Sequence, residues 1–304
     1  MRIYIILFFV LITSISCNQQ PNKAAEEGLY IVTTTGMLGD AVQNITREHA
    51  RVVSIMGPGV DPHLYKASQG DLDKLLHADM VVYNGLFLEG KMESVLKKLG
   101  RQKTVYAAGE SIPVNKRRAS VVYKNAYDPH IWFDIELWSL AIRGISEAII
   151  QKDPAHRSDY EKNTAAYLKL LSELHIEVAA QIKEIPPSQR VLVTAHDAFE
   201  YFGAAYGMEV KGLQGISTST EAGLKDISEL VDFIVKEQTK AVFIETSVSK
   251  KAIEAVIEGC QEKGSNVVLG GSLYSDAMGN KDSQEGNYIG MFKSNVNTIK
   301  KALQ

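Results

Sequence analysis

The chain has 304 residues, 45% of them apolar, and a formal net charge of −3, so it can bury a large core and has room for two lobes or one large domain. Its 33 Lys and Arg are scattered and offset by 36 Asp and Glu, which excludes a dedicated nucleic-acid surface because no basic patch is gathered to hold phosphates. No low-complexity run withholds a long segment from folding.

In chain order, Arg2 precedes an uninterrupted apolar run from Ile3 to Ile12, and small polar residues follow up to Cys17. A bilayer-spanning helix needs ~20 apolar residues, about twice this run, so residues 1–17 are expected to be a cleaved secretory signal. Ser14-Ile15-Ser16-Cys17 resembles a lipobox, in which the cysteine becomes the lipid-carrying first mature residue; Ser14 stands where an aliphatic residue is usual. Lipidation of Cys17 is the expectation, with an ordinary signal and a chance cysteine as the alternative. Residues 18–28 are polar, contain Pro21, and are expected to form a flexible tether. The other cysteine, Cys260, falls in a helical stretch between Val256 and Lys263 and is expected to be a small buried apolar group rather than a ligand or nucleophile. No internal disulfide is then available, and the core alone must stabilise the mature chain.

From Leu29 onward, short β-branched runs alternate with amphipathic stretches, the pattern of βα units and a largely parallel sheet. Strands are expected at Tyr30–Thr34, Arg51–Ile55, Met80–Tyr83 and Thr104–Ala107, with helices at Leu38–Glu48, Ser68–Leu76 and Met92–Leu99. Residues 154–184 contain no internal Pro or Gly between Asp153-Pro154 and Pro186-Pro187, and Tyr160, Thr164, Tyr167, Leu171, Leu174, Val178 and Ile182 recur at helical spacing. One long helix is expected there, a stiff strut roughly 45 Å long. A second set of strands follows at Arg190–Thr194, Met208–Gly212, Ala241–Ile244 and Asn266–Leu269, with helices at Phe199–Tyr206, Glu221–Lys236 and Lys250–Lys263. Thr218 and Glu221 have the spacing of a capping box for the middle helix. The expected fold class is α/β, with two Rossmann-like lobes (29–153 and 186–304) of parallel sheet joined by one long helix (154–185).

Three of the seven histidines stand on expected strand-exit loops, where ligands bind in parallel α/β sheets. They are His63 in Asp61-Pro62-His63, His130 in Asp128-Pro129-His130, and His196 after the strand that ends at Thr194. The proline before His63 and His130 limits the entropy lost when the ring is fixed on a ligand. Asp276, after another strand, is a fourth candidate. Three imidazoles and a carboxylate suit a first-row divalent ion such as Zn2+ and tolerate Mn2+. His49, His77, His156 and His175 fall on helix faces or ends and are expected to be structural. Glu245, at the exit of another second-lobe strand, is a candidate to accept a hydrogen bond from a ligand imidazole, with helix capping or an interlobe ion pair as its alternatives.

With these residues in view, the chain resembles the zinc- and manganese-type solute-binding proteins of ABC transporters, the TroA-like metal-binding lipoproteins. The resemblance covers nearly the whole mature chain and rests on Val60-Asp61-Pro62-His63, Asp128-Pro129-His130-Ile131-Trp132-Phe133-Asp134, Thr194-Ala195-His196-Asp197-Ala198-Phe199 and Ser275-Asp276-Ala277-Met278-Gly279. It implies that His63, His130, His196 and Asp276 hold one Zn2+ or Mn2+ in the interlobe cleft. It further implies an extracytoplasmic, lipid-anchored carrier that delivers the ion to an ABC permease. Within that family the third ligand is His or Glu, with Glu common in manganese-specific members, and His196 leans toward zinc. Many dedicated zinc members carry a His-rich loop, and Glu110 to Ala126 has no histidine, which leans the other way.

Two other function classes have weaker support in the sequence. A secreted zinc hydrolase needs an open coordination position and a general base, yet there is no His-Glu-x-x-His helix or Gly-x-Ser-x-Gly elbow. A surface adhesin is a secondary role sometimes ascribed to this family, but no residue pattern specifies its partner. The expectation is a non-enzymatic, monomeric carrier that binds no nucleic acid and whose affinity weakens below about pH 6.5, where free imidazoles protonate.

Overall fold

The computed structural model describes residues 28–120 and 126–304. The expected signal, Cys17, the tether up to residue 27, and residues 121–125 of the Glu110–Ala126 stretch lie outside the described residues. No helix among the described residues is long and apolar enough to cross a membrane.

The first lobe is built on β1 (Leu29–Thr33), α1 (Gly36–Thr46), β2 (Ala50–Ser54), α2 (Gln69–His77), β3 (Met80–Tyr83), α3 (Glu93–Leu99) and β4 (Thr104–Ala107), followed by α4 (Ile135–Lys152). The second carries β5 (Val191–His196), α6 (Glu200–Tyr206), β6 (Glu209–Gln214), α7 (Leu224–Glu237), β7 (Ala241–Glu245), α8 (Lys251–Glu262), β8 (Val268–Leu273) and α9 (Tyr288–Leu303). Their sheets run β2-β1-β3-β4 and β6-β5-β7-β8, all parallel. Each order reverses beside its first strand, which opens a crevice at the carboxyl ends of β1/β3 and of β5/β7. Ile31, Val32 and Thr33 on β1, and the whole of β5, are buried, as strands covered by helices on both faces must be.

Between the lobes runs α5 (Arg157–Lys183), 27 residues or about 40 Å. All seven of its periodic apolar positions are buried. Its first half is tied to the first lobe, where Tyr167 donates to Asp40 at 2.6 Å and Asn163 to the Ile45 carbonyl at 3.1 Å. Its second half is ion-paired to α9 through Glu177–Lys293 and Glu184–Lys300, both 2.7 Å. The lobes also share one apolar core: the Phe133 ring lies 4.3 Å from Phe199, and Trp138 stacks on Tyr288 at 5.8 Å. A strut and a common aromatic core resist free hinging, since interiors are close-packed and not continuously deformable.

Three local expectations are corrected. The helix expected from Glu221 starts at Leu224, and its cap is Gly223, whose N–H donates to Asp226 at 2.8 Å; Thr218 does not cap it. β5 continues two residues beyond Thr194, so His196 ends a strand, in register with Gln214 of β6. β8 starts two residues later than Asn266 and runs through Gly270-Gly271 to Leu273. A Cβ on Gly270 would stand 2.6 Å from the Phe243 ring, and Gly271 has φ +141° with Thr298 of α9 2.7 Å from its Cβ position, so only glycine lets the strand pass beneath α9.

Candidate metal centre

Both Asp-Pro-His segments fold alike. Asp61 Oδ1 accepts the His63 N–H at 2.8 Å and Asp128 Oδ1 accepts the His130 N–H at 2.9 Å, an Asx turn that aims each imidazole. In the second lobe, Val193 of β5 is in register with Val242 of β7, so three residues further on His196 and Glu245 leave adjacent strand ends side by side. Asp276 follows β8, and Ser275 before it accepts the Trp132 indole N–H at 3.0 Å. That bond joins the loops of Asp276 and His130 across the lobes. Tyr201 adds another cross-lobe tie, donating to the Asp128 carbonyl at 3.2 Å.

These turns bring His63, His130, His196 and Asp276 together, two from each lobe, with donor atoms all within 4.8 Å of one another. His63 Nε2 lies 3.3 Å from His130 Nε2 and 3.8 Å from Asp276 Oδ2; His130 Nε2 is 3.4 Å from Asp276 Oδ1, and His196 Nε2 is 3.3 Å from Asp276 Oδ2. Four donors on a tetrahedral ion with bonds of ~2.0–2.1 Å are spaced by about 3.3 Å. The four are 4%, 0%, 0% and 2% exposed. Within this burial both Asp276 oxygens and His196 Nε2 find no hydrogen-bond partner in the protein, a costly state for buried polar atoms unless a cation completes it. Asp276 turns Oδ1 to His130 and Oδ2 to His63 and His196, so it can bind through one oxygen or both.

Two of the imidazoles are braced from behind. Asp128 Oδ1 accepts from His130 Nδ1 at 2.7 Å, while Glu245 places Oε2 2.6 Å from His196 Nδ1 and accepts the His196 backbone N–H on Oε1 at 2.9 Å. Each contact fixes the ring tautomer and leaves Nε2 for the centre. Burial works against charge on both rings, yet their carboxylates outweigh it: Asp128 and Asp276 hold His130 up to about 9, and Glu245 and Asp276 hold His196 well above the usual range. His63, buried without such a brace and facing two other imidazoles, is pushed down to about 3. Burial likewise opposes charge on Asp276, but His196 and His130 overcome it and hold that carboxyl well below the usual range.

The remaining histidines stand apart from this cluster. His77 ends α2 and is exposed; His175 on α5 meets the Tyr206 hydroxyl at 3.1 Å; His49 and His156 stack at 4.1 Å, each against an aspartate. Sequence reasoning assigned no role to Asp128, although its signal was present in the aspartate two residues before each Asp-Pro-His histidine. It also passed over Asn84, which donates to the Pro129 carbonyl at 3.0 Å, and the buried Glu89, which accepts the Asn84 and Gly85 N–H groups at 2.7 and 3.1 Å. Together they steady the backbone under His130.

Fold and site define a class: a two-lobed α/β binding protein whose buried donors suit one divalent metal ion. The family model described as "Zinc-uptake complex component A periplasmic" matches residues 31–302, and the chain belongs to that family. It is 52% identical over 282 residues to the manganese-binding lipoprotein MntA of Bacillus subtilis (strain 168), covering 93% of this chain and 92% of the relative. To the zinc-binding protein TroA of Treponema pallidum (strain Nichols) it is 44% identical over 282 residues, covering 93% of this chain and 91% of the relative. The solved structure of that periplasmic zinc-binding protein superposes with a TM-score of 0.89 over 91% of this chain and 99% of the other. Such relatives support a carrier over the zinc hydrolase or the adhesin.

Proposed function

We propose that this chain captures one divalent transition-metal ion, zinc or manganese, and hands it to the membrane permease of an ABC transporter. His63, His130, His196 and Asp276 are its ligands, and Asp128 and Glu245 orient two of the imidazoles. The observation that carries this reading is the buried convergence of three Nε2 atoms on a carboxylate with both oxygens unpartnered. Family membership and the MntA and TroA relatives support the metal class. The ion is cargo, and the donors do no chemistry on it beyond exchanging protons for metal; no catalytic step is assigned. Residues 29–153 and 186–304 act as the two jaws and 154–185 as the strut. Lipid on Cys17 anchors the chain as a monomer outside the cytoplasm.

Bound neutral imidazoles and an ionised carboxylate favour Zn2+ over Mn2+ in solution, following the general affinity order of first-row ions. Metal availability in the cell therefore decides the cargo. Elemental analysis of protein purified from its own cells without chelator should find close to one equivalent of zinc or manganese, reduced to background in His63→Ala. Protein that carries no such metal and takes up none on titration would sink the reading.

Glu245 tests the bracing role separately. Glu245→Gln should weaken binding about 10- to 100-fold, the usual cost of removing a carboxylate behind a metal-ligating histidine. Chelator competition reads this directly, and an unchanged affinity would leave Glu245 with a role in folding alone.

A further inference from the structure

His63 is held unlike its partners. Its ring meets a carboxylate only at Asp276, 3.8 Å away, among the described residues, and its brace works through the backbone. Asp61 Oδ1 accepts the His63 N–H at 2.8 Å, and Asp61 Oδ2 accepts the hydroxyl of Thr218 at 2.5 Å. Asp128, the equivalent aspartate before His130, spends Oδ1 on its own imidazole and leaves Oδ2 without a hydrogen-bond partner. Asp61 is thus the member of the pair whose carboxylate reaches across to the opposite lobe.

Thr218 lies in the connection from β6 to α7 between Gly215 and Gly223, yet it is only 7% exposed. Its neighbours Ile216, Ser217 and Ser219 form one wall of a cavity of about 620 Å³ whose lining also includes His63 and Phe87. The segment that carries Thr218 therefore flanks the approach to His63, and one partly buried hydrogen bond to a carboxylate fastens it there. Such charge-assisted bonds are among the stronger ones in proteins.

We propose that the Thr218–Asp61 bond is the latch on this side of the site and that Thr218 is a positioning residue, acting on His63 through Asp61 to set how long the ion is retained. The inference rests on His63 being a ligand. When the bond breaks, the 215–223 segment is freed from the cavity wall and His63 loses its cross-lobe brace, while Asp128 behind His130 and Glu245 behind His196 stay in place. His63 is then the first ligand to let go.

The test mixes the zinc-loaded full chain with an excess of chromophoric chelator in a stopped-flow instrument. T218V, which replaces the hydroxyl by a methyl, should release zinc about tenfold faster, the low end for losing a hydrogen bond to a charged group. T218S, which keeps the hydroxyl, should stay within about twofold of the parent. D61A and D61A/T218V should release at the same rate, because the second change removes a bond already gone. T218A gives the same reading should T218V not fold. A T218V rate within twofold of the parent, or a T218S rate as fast as T218V, overturns the latch while a parent that binds zinc leaves the capture reading standing. A parent that binds no zinc removes both.

Discussion

Replacing His196 with alanine is expected to lower metal affinity by about 10²- to 10³-fold. Structural zinc sites of four ligands carry roughly 10–16 kcal/mol of apparent binding free energy, so one donor accounts for about 3–4 kcal/mol, which is two to three decades. His196 carries a second cost. Its imidazole is the partner of Glu245, and both side chains are wholly buried. Alanine leaves that carboxylate alone in the interior, which typically destabilises a fold by about 3–5 kcal/mol. Chelator competition and a urea transition on the same variant should therefore both move, the second even in metal-free protein. His175→Ala provides the contrast: it removes the strut's contact to Tyr206 of α6 and should leave affinity within about twofold. Equal losses in the two variants would dismantle the ligand set.

How much of this was legible before the structure depends on how far apart the interacting residues lie. β3 and β4 coincide with the strands expected from sequence, because short β-branched runs bounded by polar residues carry their own signal. The strut was legible for the same local reason, its apolar stripe being uninterrupted by Gly or Pro. α9 lies outside the expected elements although Tyr288, Met291, Phe292, Val296, Ile299 and Leu303 recur at helical spacing and are all buried; it follows the last strand, so no further strand completes a βα alternation around it. β8 was cut short because paired glycines usually end a strand, whereas here their missing side chains make room for Phe243 and α9.

Within the site, the four candidate ligands were each visible as a residue on or near a strand exit, but their convergence was not. His63 and Asp276 are more than two hundred positions apart, and no window of sequence measures 3.8 Å between them. Thr218 shows the limit most clearly. Its spacing to Glu221 satisfied a local capping rule, yet its hydroxyl is committed to Asp61 of the other lobe. A half-buried carboxylate with no other cross-lobe donor outcompeted an exposed helix end that Gly223 and Asp226 could satisfy without it.

The second large effect is in pH, and the carboxylates behind the imidazoles move it upward. An imidazole with its Nδ1 proton on Asp128 or Glu245 can take its second proton only at Nε2, the atom turned to the metal centre. Burial disfavours that proton, but the surrounding carboxylates prevail, so His130 keeps it up to about pH 9 and His196 is likewise raised. An ion binding at pH 7 must displace both, and protons then compete with it. The sign follows: below about pH 9 the His130 proton lowers apparent affinity about tenfold per unit, and the His196 proton adds up to another tenfold. His63, pushed down to about 3, is neutral across this range and contributes nothing. Affinity should therefore fall by about one to two decades per unit from pH 8 to pH 6 and still be rising above pH 7, where free imidazoles near 6.5 would already have levelled off. Chelator competition across pH at fixed ionic strength measures the slope, and titration calorimetry in buffers of different ionisation enthalpy counts the protons released. A flat profile between pH 6.5 and 8.5 would mean that the carboxylates do not hold these protons. Glu245→Gln makes the argument specific, because an amide no longer holds the His196 proton and the slope should fall toward the single decade that His130 supplies.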